Sequence, residues 1–267
     1  MSTPTLRTAL IAGLGNMGYA MLRRWRATAP LAQIRWTVVD PDSAAAARCE
    51  ELGALRISAA QAEDRYDLIV AAVKPQMAAE ALTALPSRAG LVMSIMAGTP
   101  LDKLQQWLNA EAYVRVMPNT PAMVGEAVSG YYLPASSEKW RPVVESLLTA
   151  IGTSLRVGDE DAIDKVTAVS GSGPGFLMEI ARAMVAGAQD LGFSYDEART
   201  MVAGTLTGSG HWLRASTDTP ETLRNRVTSK GGTTAAGLQA MYDAQVEKAM
   251  REAIAAAYRR ATELRGA

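Results

Sequence analysis

Apolar runs alternate with amphipathic segments along the first 158 residues of this chain, and this alternation limits its fold more than any other feature. The runs are rich in Ile, Leu, Val and Ala and lack period-two alternation, which is typical of strands buried on both faces of a parallel sheet. The predicted strands are residues 8–12, 36–39, 68–73 and 91–95. The predicted helices between them are residues 17–27, 43–52, 76–85 and 101–108. This order predicts a doubly wound α/β sheet.

The pattern changes after about Gly158, where strand signals stop and only helical periodicity remains. Residues 162–169 predict a helix, and the segment from Ser170 to Pro174 predicts a break, with Ser172 as the N-cap of the next helix. Ser194 and Glu197 have the spacing of a capping box, and an apolar stripe marks residues 246–264 as the last helix. We therefore predict an α/β domain over residues 1–158 and an all-helical domain over residues 159–267.

Composition excludes several classes of function. The chain has 267 residues with 27 Lys plus Arg and 27 Asp plus Glu, so its net charge of zero argues against a nucleic-acid partner. A single Cys, Cys49, and a single His, His211, argue against an internal disulfide and a zinc cluster. We expect Cys49 to pack in the core and His211 to be structural. No apolar run is long enough for a membrane span and no export signal is visible, so we expect a cytoplasmic protein.

A glycine motif directly follows the first predicted strand and opens the first predicted helix. Its residues are Gly13, Leu14, Gly15, Asn16, Met17 and Gly18. In this context the first glycine permits a tight turn, the second lets the backbone approach a pyrophosphate, and the third lets the helix lie close to the strand. The helix N-terminus adds unpaired N–H groups. The motif predicts a dinucleotide site, and the alternative is a purely structural glycine turn.

Asp40 ends the second predicted strand, at the distance where an acidic side chain normally binds the adenosine ribose, about 20 residues beyond the glycines. A carboxylate there favours NADH over NADPH because it repels a 2′-phosphate. Alternatively, Asp40 caps the helix that follows Pro41. Ser43 and Arg48 offer polar or cationic contacts to a phosphate. Either NADPH or NADH is therefore the expected cofactor, and the residues leave the preference open.

Two further segments follow predicted strands at the sheet edge where open α/β folds bind ligands. They are Ala72, Val73, Lys74 and Pro75 at the end of the third strand and just beyond it, and Ala97 and Gly98 after the fourth. Lys74 is expected to reach a ribose or phosphate, with an exposed surface lysine as the alternative. Gly98 is expected to let a nicotinamide lie close to the backbone. All six residues are predicted to bind the cofactor.

Two other segments predict binding of a small acid. Asn119 lies in a stiff turn between Pro118 and Pro121, which suits a ligand amide or carboxylate, although an Asx turn explains it too. Farther along, two glycines and several hydroxyl residues precede a helix and predict a carboxylate cradle, with an unliganded capped helix as the alternative. The predicted substrate residues there are Val227, Ser229, Gly231, Gly232, Thr233 and Thr234.

Five segments together resemble the pyrroline-5-carboxylate reductase family, in the family's order and over nearly the whole chain. They are residues 11–18, 72–75, 115–121, 169–174 and 229–234, of which Met-Pro-Asn-Thr-Pro and Gly-Gly-Thr-Thr are the most specific. The resemblance implies a Rossmann domain followed by a helical domain that forms a homodimer by interleaving its helices, with further assembly of dimers in many members. It also implies reduction of 1-pyrroline-5-carboxylate to L-proline with NADPH or NADH.

On this resemblance we expect the substrate carboxylate on the glycine–threonine segment and Thr234 as the catalytic residue that orients or relays a proton to the ring nitrogen. The sequence departs from the family pattern at Lys230, where Pro is usual, at Gly175-Phe176, at Arg182, and at Asp40. Two alternatives stay open. One is a related imine or β-hydroxyacid reductase, for which Lys165 is the candidate catalytic lysine. The other is a non-catalytic nucleotide-binding homologue.

Overall fold

The computed structural model describes residues 4–266, and within that range eight strands form one sheet. The strands are β1 Thr8–Ala12, β2 Arg35–Val39, β3 Leu55–Ile57, β4 Arg65–Ala71, β5 Arg88–Ser94, β6 Asn109–Met117, β7 Ala127–Tyr132 and β8 Gly152–Arg156. Their spatial order is β3-β2-β1-β4-β5-β6-β7-β8. The strands from β3 to β6 in this order pair in parallel, β7 runs antiparallel to β6, and β8 runs parallel to β7.

In the first part of the chain the α-helices cover the sheet. After β8 the regular elements are helical. Those that belong to the predicted α/β region are α1 Asn16–Arg26, α2 Ala44–Leu52, α3 Ala78–Thr83, α4 Leu101–Trp107 and α5 Arg141–Thr149. Those that follow are α6 Ala162–Val166, α7 Gly173–Asp190, α8 Tyr195–Ala215, α9 Pro220–Arg226, α10 Thr233–Asp243 and α11 Val246–Gly266. The predicted doubly wound sheet followed by a helical region is confirmed.

Strand β1 shows why the predicted strands lack period-two alternation. Ala9 and Ile11 belong to the apolar cluster on one face of the sheet, and Leu10 and Ala12 belong to the cluster on the other. Since helices cover both faces, residues on both sides of the strand must be apolar. On one face the indole rings of Trp25 and Trp36 stack, with centroids 5.0 Å apart. β3, which sequence analysis missed, is a three-residue edge strand without a buried residue, so it has no apolar run to reveal it.

The predicted break between Ser170 and Pro174 is wrong. A π-helical turn over Thr167–Gly171 connects α6 to α7, so the chain stays helical through this segment. The Ser172 hydroxyl donates to the carbonyl oxygen of Thr167 at 3.1 Å instead of accepting from the first turn of α7. A π-turn admits one extra residue per turn, and a local sequence pattern of Ser, Gly and Pro does not distinguish it from a loop.

Contacts divide the described residues into two compact units. One holds the residues up to Pro174 together with those from Ala256 onward, and the other holds Gly175–Ala255. The predicted domain division at residues 158 and 159 stays a prediction. The second unit buries few of its side chains. Among the described residues, α7 and α10 contain none that is buried. Its exposed large apolar side chains include Leu177, Met178, Met184, Leu191, Phe193, Met201, Trp212, Leu213, Met241 and Tyr242.

A buried ion cluster joins β6 to α6 and to the end of α11 within the first unit. Arg115 is 1% exposed, and its guanidinium lies 3.1 Å from Glu160 Oε1 and 3.8 Å from Asp164 Oδ1. Asp164 Oδ2 lies 3.2 Å from Arg265 Nε, and Arg265 also pairs with Asp161. Burial raises the pKa of the Asp164 carboxyl, and the two arginines act in the opposite direction. The cluster therefore stabilises this unit only while the charges remain paired.

None of the helices within residues 4–266 combines the length and the apolar character that crossing a bilayer requires.

Candidate active site

Strand order reverses at β1, which lies between β2 and β4, and this is the position where open α/β sheets bind ligands. Ala12, the last residue of β1, pairs in register with Val39 of β2 and with Ala71 of β4. The carboxyl ends of the three strands are therefore level. The segments that follow them hold the predicted glycine motif, Asp40 and residues 72–75, so the fold brings three of the predicted cofactor segments to one edge.

The glycines of the motif meet different surroundings. Gly13 has φ +94°, and a Cβ there would lie 2.7 Å from the carbonyl oxygen of Ala72. A Cβ at Gly18 would lie 2.6 Å from the carbonyl oxygen of Gly13. Gly15 differs, because among the described residues no atom from outside its own chain neighbours and helix backbone lies within 4 Å of its Cβ position. Gly13 and Gly18 are thus required by the packing of β1, β4 and α1, whereas Gly15 faces open space where a ligand has direct access to the backbone.

Helix α1 begins beside that space without a cap of its own. Gly15 is the N-cap residue and has no side chain to accept a capping bond, and the first turn, Asn16 onward, has no acidic residue. The backbone N–H groups of Asn16, Met17 and Gly18 are the donors that an α-helix leaves without intrahelical partners. Together with the partial positive charge of the helix N-terminus they favour an anion. The open space at Gly15 and these uncapped donors fit the pyrophosphate of a dinucleotide.

Asp40 braces the glycine motif. Its Oδ2 accepts the backbone N–H of Leu14 at 2.6 Å, and its Oδ1 accepts that of Asp42 at 2.8 Å. Arg48 braces the same loop from α2, because its guanidinium donates to the carbonyl oxygen of Leu14 at 2.7 Å and to Asn16 Oδ1 at 3.1 Å. These bonds leave room for the predicted contact of Asp40 with a ribose, because a carboxylate oxygen that accepts one N–H can accept a second donor. That contact remains a prediction.

A cavity of about 550 Å³ lies beside Asp40, within the range of small-molecule sites. Apolar side chains, among them Val39, Val73 and Met77, line it, and Arg56 and Ser58 add polar groups. Such walls fit an adenosine. Sequence analysis missed Arg56 because it lies on β3, the strand that was not predicted. The available signal was the Leu-Arg-Ile triplet of residues 55–57, in which two apolar residues flank an arginine.

The predicted cofactor segments at residues 72–75 and 97–98 differ in exposure. Lys74 is exposed where the chain turns after β4, and the neighbouring Ala72 and Val73 are half-buried. Gly98 is buried with φ +65°, and a Cβ there would lie 2.8 Å from backbone atoms of Leu264. The close approach that requires a glycine at position 98 is thus to the end of α11. Binding of the nicotinamide by Ala97 and Gly98 remains a prediction.

Asn119 is buried and uses both ends of its amide inside the protein. Its Nδ2 donates to the carbonyl oxygen of Ser170 at 3.0 Å and lies 3.3 Å from Ser170 Oγ, and its Oδ1 accepts the backbone N–H of Val128 at 2.9 Å. These bonds join the turn after β6 to β7 and to the π-turn. Asn119 therefore has a structural role, and its predicted role in substrate binding is untested.

The glycine–threonine segment of the second unit forms an uncapped helix start. Gly232 is the N-cap residue of α10, no side chain caps the first turn, and no acidic residue lies in it. Gly231 has φ +74°, and the backbone N–H of Gly232 donates to the carbonyl oxygen of Ser229 at 3.0 Å. Thr233 and Thr234 occupy the first turn and are exposed. Two hydroxyls beside free N–H groups fit a small carboxylate.

Three other residues named from the sequence, Cys49, His211 and Lys165, differ in their burial. Cys49 is buried on α2, and burial raises the pKa of its thiol, so it packs as a neutral side chain. His211 is exposed on α8, and Lys165 is exposed on α6.

Family models match both halves of the chain. A model described as "Pyrroline-5-carboxylate reductase dimerisation" matches residues 160–264, and one described as "NADP oxidoreductase coenzyme F420-dependent" matches residues 7–98. The first match covers the helices that leave apolar side chains exposed, and the second covers the glycine motif and the strands of the switch point.

Full-length relatives agree with these matches. A pyrroline-5-carboxylate reductase of Pseudomonas aeruginosa is 37% identical over 99% of this chain and 98% of its own. A solved pyrroline-5-carboxylate reductase of Coxiella burnetii is 28% identical, with a TM-score of 0.85 over 98% of this chain and 99% of its own. A Plasmodium falciparum pyrroline carboxylate reductase, solved with NADP bound, has the same fold, with a TM-score of 0.84, 23% identity, and coverage of 99% and 100%.

Proposed function

We propose that this chain, which belongs to the pyrroline-5-carboxylate reductase family, reduces 1-pyrroline-5-carboxylate to L-proline with NADPH or NADH as the hydride donor. The observation that carries the proposal is the 37% identity to a reductase over almost the full length of both chains. The uncapped starts of α1 and α10 support it, because they offer separate anion sites for a pyrophosphate and for a carboxylate.

The chemistry makes modest demands on the protein. Bound NADPH or NADH supplies a hydride to the imine carbon, and the ring nitrogen gains a proton, so the C=N bond becomes a secondary amine. An iminium is already electrophilic and needs no covalent nucleophile. The residues of this chain have to orient two planar groups and exclude water, which is catalysis by proximity.

The proposed cofactor residues hold the dinucleotide through the first unit. Backbone N–H groups of residues 15–18 bind the pyrophosphate, Gly13 and Leu14 shape the loop that presents them, and Asp40 and the cavity beside it hold the adenosine. Residues 72–75 with Ala97 and Gly98 hold the nicotinamide end. The compact fold of these segments and the open space at Gly15 support this assignment.

The proposed substrate residues lie mainly at the start of α10. Backbone N–H groups of Thr233 and Thr234 bind the carboxylate, assisted by Ser229, Gly231 and Gly232, with Val227 and Asn119 completing the set. Thr234 is the proposed catalytic residue. A threonine hydroxyl is a weak acid, so it orients or relays a proton to the ring nitrogen and does not supply one unaided.

The same proposal covers assembly and location. Residues 1–158 form the cofactor domain, and residues 159–267 form the substrate and dimerisation domain. The exposed apolar side chains of α7, α8 and α10 support a homodimer through the C-terminal helices, since such a surface is unusual in a monomer. Higher assembly and a cytoplasmic location belong to the proposal as well.

A direct assay tests the function. Purified protein mixed with pyrroline-5-carboxylate and each dinucleotide in turn is expected to oxidise the dihydronicotinamide and to form L-proline, which amino-acid analysis detects. Binding of a dinucleotide without turnover of this imine would instead identify a non-catalytic homologue or a reductase of another substrate.

Thr234→Ala is expected to lower kcat about 10- to 100-fold, which is the low end of the contribution of a positioned proton donor. Dinucleotide affinity should stay within about twofold, and Thr234→Ser should restore most of the rate. Thr200→Ala is the matched control, because the exposed Thr200 hydroxyl donates to the backbone carbonyl oxygen of Asp196 in its own helix, at 2.7 Å, outside the proposed site. Steady-state kinetics and titration calorimetry measure these effects, and unchanged kcat in Thr234→Ala removes the residue from the site.

Asp40→Ser is expected to raise the ratio of kcat/KM for NADPH to that for NADH by about 10-fold, because it removes a negative charge near the predicted adenosine ribose. The substitution also weakens the acceptor for the Leu14 N–H, so both affinities are expected to fall somewhat. Kinetics with both cofactors measure the ratio. An unchanged ratio would show that Asp40 only braces the loop.

A further inference from the structure

Arg56 of β3 lies at the cavity assigned to the adenosine, and it is not among the residues proposed above to bind the cofactor or the substrate. Among the described residues that line this cavity, Arg56 carries the positive charge, and Asp40 and Glu80 are the acidic groups. The cavity lining thus includes one cation and two carboxylates, and its preference for one dinucleotide depends on which of these charges are available to a ligand.

The Arg56 side chain is held in one place by backbone carbonyls. Its Nε and Nη2 donate to the carbonyl oxygen of Asp40 at 3.1 and 2.9 Å. Nη2 also lies 3.3 Å from the carbonyl oxygen of Pro41 and 3.2 Å from that of Asp42. All of these bonds come from Nε and Nη2, on one edge of the guanidinium, and none of them involves Nη1. A guanidinium oriented in this way loses little further freedom when it binds a phosphate.

The carboxylate of Asp40 is partly compensated at the same place. Each of its oxygens accepts a backbone N–H, from Leu14 and from Asp42, so part of its hydrogen-bonding capacity is already used inside the protein. The carboxylate of Asp42 likewise accepts the backbone N–H of Ala44 at 2.9 Å. Asp40 therefore opposes a second anion less than its bare charge indicates, while Arg56 attracts one.

We propose that Arg56 binds the 2′-phosphate of NADPH and thereby determines how well this chain uses NADPH relative to NADH. The inference rests on the proposed use of a nicotinamide dinucleotide. It assigns the two residues opposite effects: Asp40 favours the free 2′-hydroxyl, and Arg56 favours the phosphorylated one. A chain with Asp40 and Arg56 is able to bind NADH and NADPH, and removal of Arg56 shifts its preference to NADH.

Calorimetric titration of Arg56→Ala with NADP+ and with NAD+ tests the proposal without any turnover. We expect the affinity for NADP+ to fall about 10- to 100-fold, as for loss of a charge-assisted phosphate contact, and the affinity for NAD+ to stay within about twofold. Adenosine 2′,5′-bisphosphate and adenosine 5′-monophosphate, titrated in the same way, isolate the adenosine end and should show the same difference.

Two further variants keep the test sharp. Arg56→Lys keeps the charge and should retain most of the discrimination, although it loses the fork of bonds that holds the guanidinium. Arg35→Ala is the matched control, because Arg35 lies at the opposite end of β2 and pairs with Glu63, so neither affinity should change.

The outcomes separate this inference from the proposed function. An equal loss of affinity for NADP+ and NAD+ in Arg56→Ala shows that Arg56 only braces the loop after β2 and overturns the inference, as does no loss with either. A selective loss of NADP+ affinity supports it even if the protein fails to reduce pyrroline-5-carboxylate, a failure that would count against the proposed function alone.

Discussion

Gly15→Asp is expected to lower the affinity for NADP+ and NAD+ at least about 100-fold, because the new carboxylate would lie beside the proposed position of the pyrophosphate, and a juxtaposition of like charges costs several kcal/mol. The fold should tolerate the change. Gly15 is exposed, its φ of −64° and ψ of −171° suit any residue, and no atom lies within 4 Å of its Cβ position. Calorimetric titration measures the affinity, and thermal unfolding checks that the variant is folded.

Two companion substitutions separate charge from bulk and from folding. Gly15→Ala adds volume without charge and should weaken binding much less than Gly15→Asp. Gly13→Ala should instead destabilise the protein itself, because Gly13 has φ +94° and its Cβ would lie 2.7 Å from the carbonyl oxygen of Ala72. Wild-type dinucleotide affinity in Gly15→Asp would refute the assignment of the glycine motif to the pyrophosphate.

Arg115→Met is expected to lower the free energy of unfolding by about 3–5 kcal/mol, which is typical when one partner of a buried ion pair is removed. Arg115 is 1% exposed, and its loss leaves Asp164, 2% exposed, with Arg265 as its remaining cation in the cluster. Methionine fills much of the same volume, so the expected effect is electrostatic. Urea unfolding at a fixed protein concentration measures it, because the proposed dimerisation would make stability depend on concentration.

The matched control is Arg65→Met, which breaks the exposed pair between Arg65 and Glu111. Such a surface pair contributes less than about 1 kcal/mol to the free energy of unfolding.

The pH dependence of the free energy of unfolding of Arg115→Met is a second measurement. Loss of Arg115 raises the pKa of Asp164 further, so the folded variant binds a proton that the unfolded chain releases, and its deficit should shrink as the pH falls from neutral. Equal deficits in the two variants at every pH would contradict a special role of the buried cluster.

Local patterns predicted the candidate site only in part. The glycine motif was found because Gly13 and Gly18 are demanded by strand and helix packing that any β–α unit of this kind shares. Gly98 was predicted from the same logic, but the atoms nearest to its Cβ position belong to Leu264, a residue 166 positions away along the chain. Arg56 was missed because a three-residue edge strand carries no periodic signal.

The sequence by itself determined the fold class and the helical second half, because burial of strands on two faces and of helices on one imposes patterns that are visible locally. It also predicted a helix start beside each of the two glycine segments, and the structure has Gly15 and Gly232 as the N-cap residues of those helices. Only the tertiary structure decided what Asp40, Asn119 and Arg56 bond to, since their partners come from other segments of the chain. Hydrogen bonds and ion pairs between distant segments depend on chain packing, which no short stretch of residues records.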